Sequence, residues 1–453
     1  MLIRFSVENY LSFGARAEFS TVATREMHHR DRTYSAGPDG LRLLPVSVLF
    51  GPNASGKSNL FRALQFLRGL VVDGVRPEAA IPVTPFRLDP ARRTAPSRFE
   101  IEFLSSGTAF AYEVTVTSTR VLEESLSRVL PSGKVLLFQR KADPDRPSFI
   151  FENELTGGDP KEWQFLAFVG MGTRSNELFL HQALDRAVES LKPAFEWFSK
   201  ILLLLDPRSV SPAMGFQLAA QDDFRSFFSD LVQRIGAGIE SIEPEVLPVK
   251  DSTVPEHVRE EAMRRLTDVD GVLMGTRDGQ RFSFSKVNGE VQVARVVSYH
   301  PGTDGERVRF EFSEESDGTQ RFMDLLPALY HLGRPNHQQV VFVDELDRSL
   351  HSGLTRSVVE SYLQNWQPGQ TTQFLFTSHD ATLLDQDLFR RDEVWLLEKT
   401  ERGDTEIRSL GDYRVRTDKR LMKDYLQGRF GAVPRTRRLA MRRPAFATTA
   451  TRS

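Results

Sequence analysis

The sequence contains no cysteine. Disulfides and thiolate metal sites are therefore excluded, and a reducing compartment is expected. Long apolar runs are missing too: the longest, Ile201 to Leu205, is far too short to span a bilayer. Met1 to Val7 lack the basic and then apolar layout of a signal peptide. A cytoplasmic protein with no membrane partner is the expectation. Net charge is close to zero, −2 from 59 basic and 61 acidic residues. That removes any global attraction to nucleic acid or to an acidic membrane surface and leaves only local basic patches. Tryptophan and tyrosine are scarce, 4 and 8 against 33 phenylalanines, which fits a phenylalanine-packed core better than stacking platforms for bases. No internal repeat and no sustained heptad series is visible, so a long coiled coil is not expected.

What is there is a chain of 453 residues, 40% hydrophobic and 26% charged. This is the balance of a soluble globular protein with about two to three domains or lobes. Residues 2 to 7 alternate and predict a strand. Leu44 to Phe50 is a short apolar strand that runs into a glycine-rich loop. From Lys57 on, Leu60, Phe61, Leu64, Phe66 and Leu67 recur at helical spacing. Between Pro85 and Phe151, β-rich segments punctuated by Gly107, Gly133 and Pro144 predict an antiparallel meander. Helical spacing from Lys161 to Arg234, and again from Pro255 to Leu266, predicts an inserted helical lobe. A helix is expected from Thr319 to Leu332. The apolar runs Gln339–Val343, Gln373–Phe376 and Val394–Leu397 predict a mostly parallel buried sheet. The expected class is α/β, divided at 1–160, 161–275 and 276–434, with a basic, frayed tail at 435–453.

Gly51-Pro52-Asn53-Ala54-Ser55-Gly56-Lys57-Ser58 matches G-x-x-x-x-G-K-[ST] in full, in a strand–loop–helix frame. Small residues let backbone N–H groups turn inward on phosphates, and the following helix adds its positive end. Lys57 supplies a charge between the β- and γ-phosphates of ATP, and the Ser58 hydroxyl ligates Mg²⁺. Hydrolysis needs acids as well. Val340 to Val343 end in Asp344-Glu345: Asp344 is placed for the Mg²⁺ shell and Glu345 to polarise the attacking water. Ser316-Asp317-Gly318 precedes a helix. It suits a γ-phosphate offered by a second subunit, or an ordinary helix cap, and the two roles are compatible. His379 follows a strand, where a histidine can sense a γ-phosphate or be merely structural.

The order of P-loop, Ser-x-Gly-x-Gln, Asp-Glu strand and strand with histidine resembles ABC-type ATPase heads, nearer the SMC, RecF and OLD branch than membrane transporters. The resemblance implies an ABC-type head with an antiparallel β-subdomain and the helical lobe as its insert. It makes 1–160 and 276–434 the two ATPase lobes. Ser316 and Gly318 become signature residues acting in trans, Glu345 the catalytic base, His379 the switch histidine and Leu346–His351 the D-loop. His351 stands where transporters carry aspartate, which leaves that loop's role open. Gln182 is the candidate Q-loop glutamine, against a plain helix-face glutamine. Leu2 to Phe13, Pro85 to Leu88, Glu315 to Thr319, Asp344 to His351 and Tyr425 to Pro434 are similar to compact ATPases of bacterial anti-phage systems, including abortive-infection ATPases and the ATPase subunit of PARIS. The resemblance implies an ATP-sandwiched homodimer or larger ring. It also implies a separately encoded effector, a nuclease, and a phage protein or DNA as trigger. The alternative is a RecF- or SMC-like repair ATPase that binds DNA directly.

Three weaker features complete the inventory. Asp268-Val269-Asp270-Gly271 could be a nuclease metal site but fits a turn between helix and strand. His28-His29, with Arg25 and Arg30, could bind metal or phosphate, or form a solvated loop against nucleotide or a neighbouring subunit. Arg435, Arg437, Arg438, Arg442 and Arg443 could touch nucleic acid or form a disordered tail.

Overall fold

The structure is a computed structural model that describes residues 1–36, 40–143, 147–252, 254–266, 271–276, 279–287, 289–413 and 421–433. Asp268, Val269 and Asp270 and the tail 435–453 lie outside the described residues.

A six-stranded sheet carries the motifs. Its order is Leu202–Leu205, Gln338–Val343, Thr371–Thr377, Val46–Phe50, Val394–Lys399 and Thr405–Ser409. The first five are parallel and the last is antiparallel. Successive side chains in a strand point to opposite faces, and this sheet needs apolar residues on both. Val340 and Phe342 join one core cluster; Val341 and Val343 join the other. The apolar runs that predicted a buried parallel sheet are this two-sided burial, and the fold is α/β as expected.

The Lys57–Val72 helix buries Leu60, Phe61, Leu64, Leu67, Leu70 and Val71. That stripe packs against a seven-stranded antiparallel sheet, each fully buried Leu or Phe contributing about 1.5–3 kcal/mol. Phenylalanine fills this interface: Phe66 meets both Tyr10 and Phe99. The sheet is the expected meander extended by two N-terminal strands, Leu2–Glu8 and Ala17–Ser20. Gln373, fully buried, joins the two sheets. Its Nε2 donates to the Leu2 and Leu44 carbonyls at 3.1 and 3.0 Å, and its Oε1 accepts from the Leu2 N–H at 2.6 Å.

The segment expected to be a helical lobe is mixed. It holds helices Pro160–Gly172, Phe179–Asp185 and Asp222–Arg234. But Leu202–Leu205 is a strand of the parallel sheet, beside Gln338–Val343. Ser241–Pro248 and Gly271–Gly275 belong to a separate five-stranded antiparallel sheet. Val258 and Ala262 of the Glu256–Arg265 helix cover that sheet with Phe282, Phe284 and Val293. A run of leucines satisfies helical and strand periodicity equally, and here the vacant edge of the parallel sheet decides.

Candidate functional site

The Val46–Phe50 strand is buried throughout and delivers the chain into the P-loop. Gly56 has φ +115°, and a Cβ there would lie 2.3 Å from Thr405 Oγ1, so only glycine fits. Thr405 Oγ1 lies 2.8 Å from the Ser55 carbonyl and 2.8 Å from Ser12 Oγ, bracing the loop from beneath. Asn53 and Ala54 form the exposed tip, Ser58 is half-buried, and Ser55 Oγ is buried without a partner. The helix opens with no acidic residue in its first turn, so its positive end is uncompensated by side chains.

Lys57 is buried. Its Nζ donates to the carbonyls of Gly51 at 2.7 Å and Pro52 at 3.2 Å and lies 3.3 Å from His379 Nδ1. Burial pushes its pKa down to about 8, against the pull of Asp344, Asp347 and Glu345. His379 is held below the ordinary histidine value by burial and then by the Lys57 ammonium, with Asp347, Glu345 and Asp344 opposing. A neutral imidazole can accept a proton from Lys57 in a hydrogen bond, which fits the contact. The His379 backbone N–H donates to Asp347 Oδ2 at 3.0 Å.

The acid pair sits where the Gln338–Val343 strand ends. Thr377 Oγ1 donates to Asp344 Oδ1 at 2.7 Å and accepts from the Glu345 N–H at 2.7 Å. One hydroxyl from the neighbouring strand thus fixes both acids. Glu345 takes a left-handed backbone, φ +52°. A non-glycine residue there costs about 1–3 kcal/mol, a strain that clusters at functional sites. The turn ends the strand's alternation, and the Glu345 carboxylate lies 3.8 Å from Arg348.

The structure therefore brings Lys57, Asp344, Glu345 and His379 together across three adjacent strands. Sequence reasoning missed three neighbours. Asp347, with Oδ1 buried and unpartnered, anchors the histidine backbone. Thr377 links the acids, and the Ser12–Thr405 brace supports the loop across 393 residues of sequence. Ser12 and Asp347 lay in segments already singled out, but without these contacts. The donor set suits ATP and Mg²⁺: a buried lysine, inward-turned small residues, the Ser58 hydroxyl and the Asp344 carboxylate offer a phosphate cradle and hard oxygen ligands. Among the described residues no group of three or more His, Asp or Glu could hold a metal by itself.

Other expected residues lie elsewhere. Ser316 caps the Asp317–Gly333 helix, its Oγ accepting from the Thr319 N–H at 3.1 Å. A Cβ on Gly318 would lie 2.7 Å from the Ser349 carbonyl. Among the described residues, no hydrogen bond or ion pair joins Ser316 to its own P-loop. His351 caps the next helix, its Nδ1 accepting from the Gly353 N–H at 3.1 Å. Gln182 is not at the loop. Its neighbour His181 reaches the Val71 carbonyl at 2.9 Å, which lies 14 residues beyond Lys57, about 21 Å along the helix. With its amide oxygen and nitrogen exchanged, Gln182 pairs with Glu177 and Arg186, a helix-face role. The His28-His29 loop packs on its own chain: Arg390 donates to both their carbonyls, and His29 Nε2 lies 3.2 Å from the Gln386 carbonyl.

A family model described as "AAA domain, putative AbiEii toxin, Type IV TA system" matches residues 46–385, from the P-loop strand past His379. No curated protein matches the chain. Among solved structures, the SMC head domain from Thermotoga maritima is 12% identical, with 90% of this chain and 98% of that chain covered and a TM-score of 0.33. No helix among the described residues is long and apolar enough to cross a membrane.

Proposed function

The chain belongs to this AAA-domain family, and from that membership we propose that it is an ATP-hydrolysing switch in anti-phage defence, built as an ABC-type head. The observation that carries the hydrolytic part is the convergence of Lys57, Asp344, Glu345 and His379 on the P-loop. Lys57 exchanges its loop carbonyls for the β- and γ-phosphates. Ser58 and Asp344 would hold Mg²⁺, which would supply charge neutralisation on the phosphates. Glu345, turned off the strand and flanked by Arg348, orients the attacking water. Neutral His379 offers a hydrogen bond to the γ-phosphate once Lys57 has moved to it.

The start of the Asp317–Gly333 helix completes the site from a second copy. Among the described residues no hydrogen bond or ion pair joins Ser316 to its own P-loop, and a helix N-terminus suits a phosphate. The head would comprise 1–160 and 276–434 together with the Leu202–Leu205 strand of its parallel sheet, with the rest of 161–275 as the partner-binding insert and ATP closing a homodimer or ring. Closure would hold or release a separately encoded effector, a nuclease, on a trigger that is a phage protein or DNA. The test is Glu345→Gln in a host challenged with phage, beside ATPase assays of the purified protein. The account expects bound ATP, lost turnover and altered plating. Unchanged plating, with no neighbouring gene product co-purifying, would remove the defence role while leaving the ATPase intact.

A further inference from the structure

A polar cavity of about 200 Å³ lies beside the turn that follows the acid pair. It is lined by Arg208, Arg281, Arg321 and Arg348 against Asp317 and Asp324. Its walls are the loop after the Leu202–Leu205 strand, the start of the Asp317–Gly333 helix and the turn that follows Glu345. Four guanidinium groups face two carboxylates, and one carboxylate is already taken: both oxygens of Asp324 accept from Arg281 Nη1, at 2.7 and 2.9 Å.

Arg321 is the unusual member. It is 6% exposed, yet its Nε and Nη2 are buried with no hydrogen-bond partner. Asp324 and Asp206 act on it only through their charge. Two orphaned donors on a buried cation are costly, more so than on a neutral group. Guanidinium forks match the oxygens of a phosphoryl group, and the helix N-terminus beside Asp317 adds donors of the same sense.

From this we infer that the cavity is a second oxyanion site, separate from the P-loop, that takes a phosphoryl group on Arg321 and Arg348. The group is inorganic phosphate or the triphosphate tail of a nucleotide. Arg348 also pairs with Glu345 at 3.8 Å, so a bound phosphoryl group competes with that glutamate for Arg348 and links occupancy to the acid pair.

The test uses the full chain carrying Lys57→Ala, which disables the P-loop and leaves this cavity whole. Inorganic phosphate and ATP are titrated separately by calorimetry, with thermal unfolding followed at each concentration. Saturable phosphate binding that raises Tm, and that weakens tenfold or more with Arg321→Gln and several-fold with Arg348→Gln, supports the site with free phosphate as its ligand. The same dependence for ATP alone supports it with the nucleotide tail. Arg348 has a half-exposed side chain, so its variant decides the matter if Arg321→Gln does not fold. Binding of neither ligand, or binding indifferent to the variants that fold, overturns it.

Discussion

The P-loop pocket and the start of the Asp317–Gly333 helix are both polar and both close to the acid pair, but they are finished to different degrees. In the pocket, the lysine and the acid pair have partners within the chain, and only Ser55 Oγ and Asp347 Oδ1 are left without one among the described residues. Lys57 is held by two carbonyls and faces three acids, and Thr377 ties Asp344 to Glu345. At the helix start, Ser316 meets only its own cap, and a few residues on Arg321 carries donors with no acceptor. The difference separates two kinds of site. One is pre-organised for a ligand that enters it. The other presents groups whose acceptors must come from outside the chain.

Breaking the finished side should have the largest effect. Lys57→Ala should weaken ATP binding by about 100-fold, the scale of losing charge-assisted hydrogen bonds, as measured by calorimetry. Glu345→Gln should leave ATP binding near wild type while slowing turnover by about 10²–10⁴-fold, the usual contribution of a general base. Phosphate release under single-turnover conditions measures it. If both variants bind and hydrolyse normally, the pocket is not the site.

The pocket also carries a pH signature. ATP favours charged Lys57, whose pKa in the free protein is about 8. Below pH 8 the lysine is already charged and affinity should be flat. Above it, binding must take up a proton, so affinity should fall by up to about tenfold per pH unit. Titrations from pH 7 to 9 in buffers of different ionisation enthalpy would show the proton uptake. Flat affinity over that range would mean that Lys57 does not carry the phosphate interaction.

The helix start should respond in a different way. Ser316→Arg should leave ATP binding intact and stop hydrolysis. Ser316→Ala, which removes only the cap, should cost about 1 kcal/mol of stability, read as a small fall in Tm. Equal loss of turnover in both variants, tracking Tm, would reduce Ser316 to a cap.

Much of the finished side was legible in the sequence, because its parts are local. The P-loop motif, the apolar strands and the Asp-Glu pair each lie within a few consecutive residues and need no partner to be recognised. What joins them is not local. Thr377 looks like any strand-end threonine until the Gln338–Val343 strand is laid beside it. The Ser12–Thr405 brace exists only after the two ends of the chain meet. Ser241–Pro248 carries Pro244 inside a strand, which argues against a strand unless it lies at an edge. It does: among the described residues it pairs only with Glu290–Pro301. Gln182 failed for a related reason: its place in the chain, after the meander, suggested the loop, but its helix packs at the far end of Lys57–Val72.

The central claim is that the finished pocket of one copy is completed by the helix start of another. Mixing two inactive proteins, Lys57→Ala and Ser316→Arg, tests it most directly. A mixed dimer pairs the intact P-loop of one with the intact Ser316 of the other. Random one-to-one mixing should then restore about a quarter of wild-type ATP turnover, since half the dimers are mixed and each has one complete site. A mixture no more active than its two components measured apart would contradict the claim.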